Sequence, residues 1–177
     1  GSLDNYIICE YIKQGEYGKS LFSETVNSIR ILTMMSPDDN KPFIATAVQR
    51  IGTKKSRPVD NWAAGGLSAY IDVYTGVLSE AFSFKDGVLR YHDTHPDTGK
   101  QIKGISIPNW DGVKNKILYV ASKLPYIPYI AWDVVLLDKD ILVIEANNCS
   151  AVDFLQVQEP LLKNKKVRQF YEYYSII

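Results

Sequence analysis

The sequence predicts an α+β domain, a mostly antiparallel sheet with helices packed on one face. Three observations carry this. The first half is a series of short runs rich in β-branched and aromatic residues, each closed by turn-forming residues. From residue 109 the apolar spacing changes to that of a helix. Two further strand-like runs then flank a short polar segment, as in a hairpin.

Strands are expected over residues 6–12, 28–34, 43–51, 66–73 and 77–84. Ser36-Pro37-Asp38-Asp39-Asn40, Tyr74-Thr75-Gly76 and Lys85-Asp86-Gly87 read as turns, and connections this short join antiparallel neighbours. Val113, Ile117, Val120, Ala121 and Leu124 recur at helical spacing behind Pro108 and an Asn109 suited to capping, which predicts a helix over 110–123 ended by Pro125 and Pro128. Strands at 129–137 and 141–147 follow, joined by Asp138-Lys139-Asp140. Residues 152–177 alternate apolar and charged side chains at helical spacing, giving one or two amphipathic helices, the last centred on 167–171.

A chain of 177 residues and 20.0 kDa, without internal repeat or linker, fits a single domain. Twenty basic residues balance twenty acidic ones, which argues against a general nucleic-acid or membrane-surface binder. No apolar run approaches the roughly 18 to 20 residues of a membrane span, so no membrane insertion and a cytoplasmic location are expected. Cys9 and Cys149 stand alone, without the spacing of a disulfide framework or a zinc site. His92 and His95 flank a Pro96 to Gly99 turn and read as loop or substrate-side residues rather than metal ligands. Trp132 and the tyrosines read as core and cleft lining, not as a nucleic-acid stacking platform.

The hairpin is the most informative segment. If residues 138–140 form the loop, Asp133 faces Glu145 and Ala131 faces Asn147, and period-two alternation puts 133, 145 and 147 on one face. Opposed carboxylates repel unless a cation or a shared proton lies between them. Two carboxylates and an amide are hard oxygen donors of the kind Mg²⁺ takes, with phosphate and water completing its shell. Solvated acids on an exposed face are the alternative, since a one-residue slip would turn Asp133 to the other side. Without an ion, one acid is expected to take a proton or to pair with Arg30 or Arg50. These two arginines are each isolated in an apolar strand; a guanidinium suits phosphate, while snorkelling or pairing with a structural acid is the plainer alternative. Asn61 with Gly65-Gly66 marks either a loop whose backbone approaches something closely or a simple turn.

Trp132-Asp133, the hairpin and Glu145-Ala146-Asn147 together resemble the metal-binding end of ATP-grasp enzymes. The ordered set Ser28-Ile29-Arg30 to Thr33, Arg50-Ile51-Gly52, Asp60-Asn61 to Gly65-Gly66-Leu67, Ile71-Asp72 to Thr75-Gly76, His95-Pro96-Asp97-Thr98-Gly99 and Ile107-Pro108-Asn109-Trp110 is similar to the sugar-transfer-associated ATP-grasp family, over about residues 8–158. The resemblance implies ATP between two α+β lobes. It places Mg²⁺ at Asp133, Glu145 and Asn147, phosphate contacts at Arg30 and Arg50, and adenine and ribose along residues 6–13, hence Glu10, Tyr11 and Ile12, with Glu16 and Asn61 as further nucleotide contacts. The implied reaction is ligase-like: a small-molecule carboxylate or sugar-linked substrate is activated as an acyl phosphate and opened by an amine or other nucleophile, in polysaccharide or sugar-linked biosynthesis. The lysines and glycine-rich loop of the other nucleotide-binding lobe are expected upstream of Gly1, and Gly1-Ser2 reads as a tag remnant. A module that binds a nucleotide or sugar nucleotide without turnover is the rival reading, and a protein-interaction domain of the same shape is a third.

Overall fold

In the computed structural model, which describes residues 10–177, the runs between turn residues become seven strands. They are β1 (Ile29–Met35), β2 (Pro42–Ile51), β3 (Leu67–Ile71), β4 (Leu78–Lys85), β5 (Val88–His92), β6 (Tyr129–Leu136) and β7 (Ile141–Asn147). One antiparallel sheet holds them in the order β5-β4-β3-β2-β1-β6-β7, so the fold class is the one expected. Of the first expected strand, residues 6–9 and with them Cys9 lie outside the described residues, and residues 10–12 form no strand.

The turns work by residues that tolerate unusual backbone. Asp86 and Gly87 both have positive φ, 53° and 77°, the pair that a tight β4–β5 hairpin needs. Asp72 accepts hydrogen bonds from the N–H groups of Tyr74 and Thr75, at 2.9 and 2.8 Å, closing the β3–β4 turn.

Among the described residues there are three α-helices: α1 (Glu16–Leu21), α2 (Trp110–Ser122) and α3 (Lys165–Tyr173). Along α2 the spaced residues Val113, Ile117 and Ala121 are buried with Trp110, as the sequence periodicity requires. Asn109 precedes the helix at φ 50° and makes no side-chain cap; its amide instead packs against Gly112, where a Cβ would clash with it. Asn164 does cap α3, accepting from the Lys166 N–H at 3.0 Å.

The sheet has a core on each face. Ile29, Ile31, Ala47, Ile51, Trp132 and Val134 meet α2 on one side. Leu32, Met34, Ala45, Val48 and Ala131 meet Leu155, Leu161 and α3 on the other. Helices therefore cover both faces rather than one: α2 lies over the first core, and the chain after β7 wraps round the sheet edge to seat α3 on the second. Trp132 anchors β6 to β1 by donating from Nε1 to Thr33 Oγ1 at 2.8 Å.

Candidate functional site

The alternation of β6 sends Trp132 and Val134 into the α2 core and leaves Asp133 on the α3 face. There Asp133 has Arg30 of β1 opposite it on one side and Glu145 of β7 on the other. The expected facing pairs, Asp133 with Glu145 and Ala131 with Asn147, are both present. They arise by a different route. Next to the turn Leu136 pairs with Ile141 and the Leu137 N–H donates to Asp140 O at 2.8 Å, one residue out of the expected register. A β-bulge at Ile144, between Val143 opposite Val134 and Glu145 opposite Asp133, restores it.

Asp133 is held by both arginines. Arg30 donates from Nε to Oδ1 and from Nη2 to Oδ2, the latter at 2.6 Å, in a two-pronged pair. Its Nη1 donates to Ser150 Oγ at 3.1 Å, and its guanidinium lies 5.6 Å from the centre of the Phe154 ring. Arg50 donates from Nη1 to Asp133 Oδ2 at 3.0 Å, while its Nη2 is 2.8 Å from Asp60 Oδ1. Asp60 Oδ2 in turn accepts from Ser28 N at 2.7 Å and Ser28 Oγ at 2.6 Å. Side-chain exposures of 7% for Asp133, 10% for Asp60, 12% for Arg30 and 14% for Arg50 make this a nearly dry quartet with two charges of each sign. Burial alone would lower the Arg30 pKa; the hydrogen bond and charge of Asp133, followed by the charges of Glu145 and Asp60, outweigh it and raise the pKa above the ordinary arginine value.

Glu145 is exposed and makes no ion pair to any described residue, and Asn147 is half-buried two positions further along the same face. Arg50, Asp60, Asn61, Asp133 and Glu145 line one open cleft of about 350 Å³. Asn61 also caps the short 3-10 turn Trp62–Ala64, accepting from Ala63 N at 3.0 Å. The close approach signalled by Gly65-Gly66 is internal: a Cβ on Gly66 would meet Asp60 O at 2.6 Å. Tyr11 and Ile12 line a neighbouring cleft of about 330 Å³, and Val26 and Pro58 are common to both clefts. Glu10 is exposed just before them. Glu16 is not brought to this region; it opens α1 beside the β6–β7 turn, its N–H donating to Asp138 Oδ1 at 2.8 Å and its carboxylate pairing with Lys19 at 2.7 Å. His95 occupies the expected turn but is buried, stacked on Phe22 and hydrogen-bonded to Gly52 O at 2.8 Å, a structural setting.

Residues 1–169 match the model of one family, described as sugar-transfer associated ATP-grasp. The chain belongs to that family. No curated protein and no solved structure is significantly similar to it. As an ATP-grasp domain it is an ATP-binding protein, and among the described residues no helix is long and apolar enough to cross a membrane.

For an ATP-grasp domain the donor set suits a hard cation: Asp133, Glu145 and Asn147 offer oxygens on one face. Among the described residues no three acidic, histidine or cysteine side chains cluster as a metal site. A cation here would therefore take much of its shell from phosphate oxygens and water. Sequence reasoning missed Asp60, Ser150 and Phe154 as partners of the arginines, and Ser28 as the residue that holds Asp60. The signal available was indirect: an arginine in a buried strand needs an acid, and the acid nearest a motif glycine pair is Asp60.

Proposed function

We propose that this ATP-grasp domain carries the Mg-ATP phosphate site of a ligase-like enzyme that activates a substrate carboxylate as an acyl phosphate. The observation that supports it most is the alignment of Glu145, Asp133 and Arg30 across three adjacent strands, with Arg50 donating to Asp133 and lining one cleft with Asp133 and Glu145. Asp133, Glu145 and Asn147 would hold magnesium, which when bound neutralises charge on the phosphate oxygens. Arg30 and Arg50 would orient the γ-phosphate and stabilise the charge that develops on it, with no protein nucleophile required. Tyr11 and Ile12, with Glu10, would flank the adenine and ribose in the adjoining cleft, and Asn61 would close the wall between.

In the reaction a carboxylate oxygen attacks the γ-phosphorus, the bond from that phosphorus to the β-phosphate bridging oxygen breaks, and ADP leaves. An amine or other nucleophile then attacks the acyl carbon and expels phosphate. The family description supports a sugar-linked substrate, and a second lobe preceding this one would supply the opposite wall of the cleft.

The experiment is to incubate the full-length protein with Mg-ATP, hydroxylamine and a panel of sugar acids, and to measure ADP and hydroxamate together. Hydroxamate formed in step with ADP, and abolished by Glu145→Gln, is the expected result. ATP binding without hydroxamate for any carboxylate would favour a non-catalytic nucleotide module.

A further inference from the structure

The two guanidiniums on Asp133 are not held alike. Arg50 has a second carboxylate, Asp60, which is fixed by both the N–H and the hydroxyl of Ser28 and is backed by the close-packed Gly66. Arg30 spends its Nε and Nη2 on Asp133, and its other contacts are uncharged: the Ser150 hydroxyl and the Phe154 ring. If Asp133 is taken away, Arg50 keeps an ion pair and Arg30 keeps none with any described residue.

A divalent cation and a guanidinium use the same carboxylate lone pairs, so they compete for Asp133. The quartet of Arg30, Asp133, Arg50 and Asp60 carries no net charge, so among the described residues lining the cleft an incoming cation meets only Glu145 as an unpaired acid. Displacing Arg30 leaves its cation in a nearly dry setting with only neutral groups in direct contact among the described residues, which is unfavourable until an anion arrives.

We infer that Asp133 is an exchange point: a divalent cation displaces Arg30 from it, Arg50 stays on Asp60, and the released Arg30 is neutralised by a nucleotide phosphate. Cation and phosphate then bind as a coupled pair, and the coupling is reciprocal. Asp60 acts as a positioning residue that keeps Arg50 in place throughout. This inference rests on the Mg-ATP reading given above.

The test uses the full-length protein and two readouts other than turnover. Mn²⁺ affinity without nucleotide is measured by electron paramagnetic resonance for wild type, Arg30→Gln and Arg30→Lys. Arg30→Gln should bind Mn²⁺ about tenfold or more tightly than wild type, because Asp133 loses its main competitor, whereas Arg30→Lys keeps the charge and should stay near wild type. Separately, the arginine Nε–H resonances of wild type are followed by nuclear magnetic resonance as Mg-ADP is added. The Arg30 signal, assigned by its loss in Arg30→Lys, should move while that of Arg50 stays.

Wild type binding Mn²⁺ alone as tightly as Arg30→Gln overturns the exchange. So does Mg-ADP binding that leaves the Arg30 resonance unmoved, and this second measurement decides even if Arg30→Gln does not fold. Both results leave the ATP reading standing. Absence of any Mg-ADP binding by wild type overturns that reading, and the exchange with it.

Discussion

Glu145 stands opposite Asp133 because Ile144, one residue before it, has no partner on β6. The hairpin turn sets a register one residue out, and the bulge at Ile144 corrects it before the two acids meet. Turn geometry and site geometry are thus decoupled by one surplus residue.

Deleting Ile144 should therefore leave Glu145 and Asn147 on the Asp133 face, since only the surplus residue is lost. Deleting Ala146 should turn Asn147 to the opposite face, because side chains alternate. Comparing Mg-ADP affinity of the two deletion variants checks this; equal losses in both would show that the bulge does not set the register.

Asp60→Asn should destabilise the domain by about 3 kcal/mol, because it removes one charge from a desolvated pair and leaves Arg50 leaning on Asp133 alone. Denaturant unfolding measures the loss. ATP affinity should fall as well, and a variant with unchanged stability would mean that Asp60 is a solvent-screened residue.

Trp132→Phe removes the donor to Thr33 Oγ1 while keeping an aromatic ring in the α2 core. The expected cost is about 1 kcal/mol for one buried hydrogen bond. Asp133 points to the other face, so nucleotide affinity should stay at the wild-type value when titrated alongside the thermal melt.

Asp72 gives a pH dependence of known sign. The Thr75 N–H holds its carboxyl below the usual aspartate range, with the Thr75 side chain, the Tyr74 N–H and the charge of Lys114 adding to this and burial opposing it. A carboxyl with a depressed folded-state pKa stabilises the fold above its unfolded value, about 4, and loses that contribution as pH falls through the folded value. The stability difference between wild type and Asp72→Asn should thus be constant from neutral pH down to about pH 5 and shrink below pH 4. Melting curves across that range test it, and a difference that grows on acidification would reverse the assignment.

Much of this was legible in the sequence because the signals were local. The helical spacing of Val113, Ile117 and Ala121 named α2, and that of residues 167–171 named α3. That a hairpin brings Asp133 to Glu145 was also legible, although the expected three-residue turn is a tighter one and the bulge at Ile144 makes up the difference. What escaped was either short or distant. α1 has six residues, begins beside Gly15 and contains Gly18, so propensity gave no sign of it. β5 alternates little and is mostly exposed, and only its Asp86-Gly87 turn announced it. The second helical face was hidden because a periodic pattern reveals that a helix has an apolar side but not which side of a sheet receives it. Asp60 lies 73 residues from Asp133 in the chain, and only the folded sheet shows that Arg50 bridges them.

The bulge has one more consequence, for how the molecule meets its own copies. Among the described residues β7 is an outer strand of the sheet, and it exposes Leu142, Val143 and Ile144 in succession. An unpaired, straight, apolar edge invites a strand from another molecule to continue the ladder, which is a route to aggregation. Ile144 breaks the regular spacing of that edge and bends it midway, and the Glu145 that follows adds an exposed negative charge. The same residue that brings two acids face to face also spoils β7 as a template for a neighbouring chain.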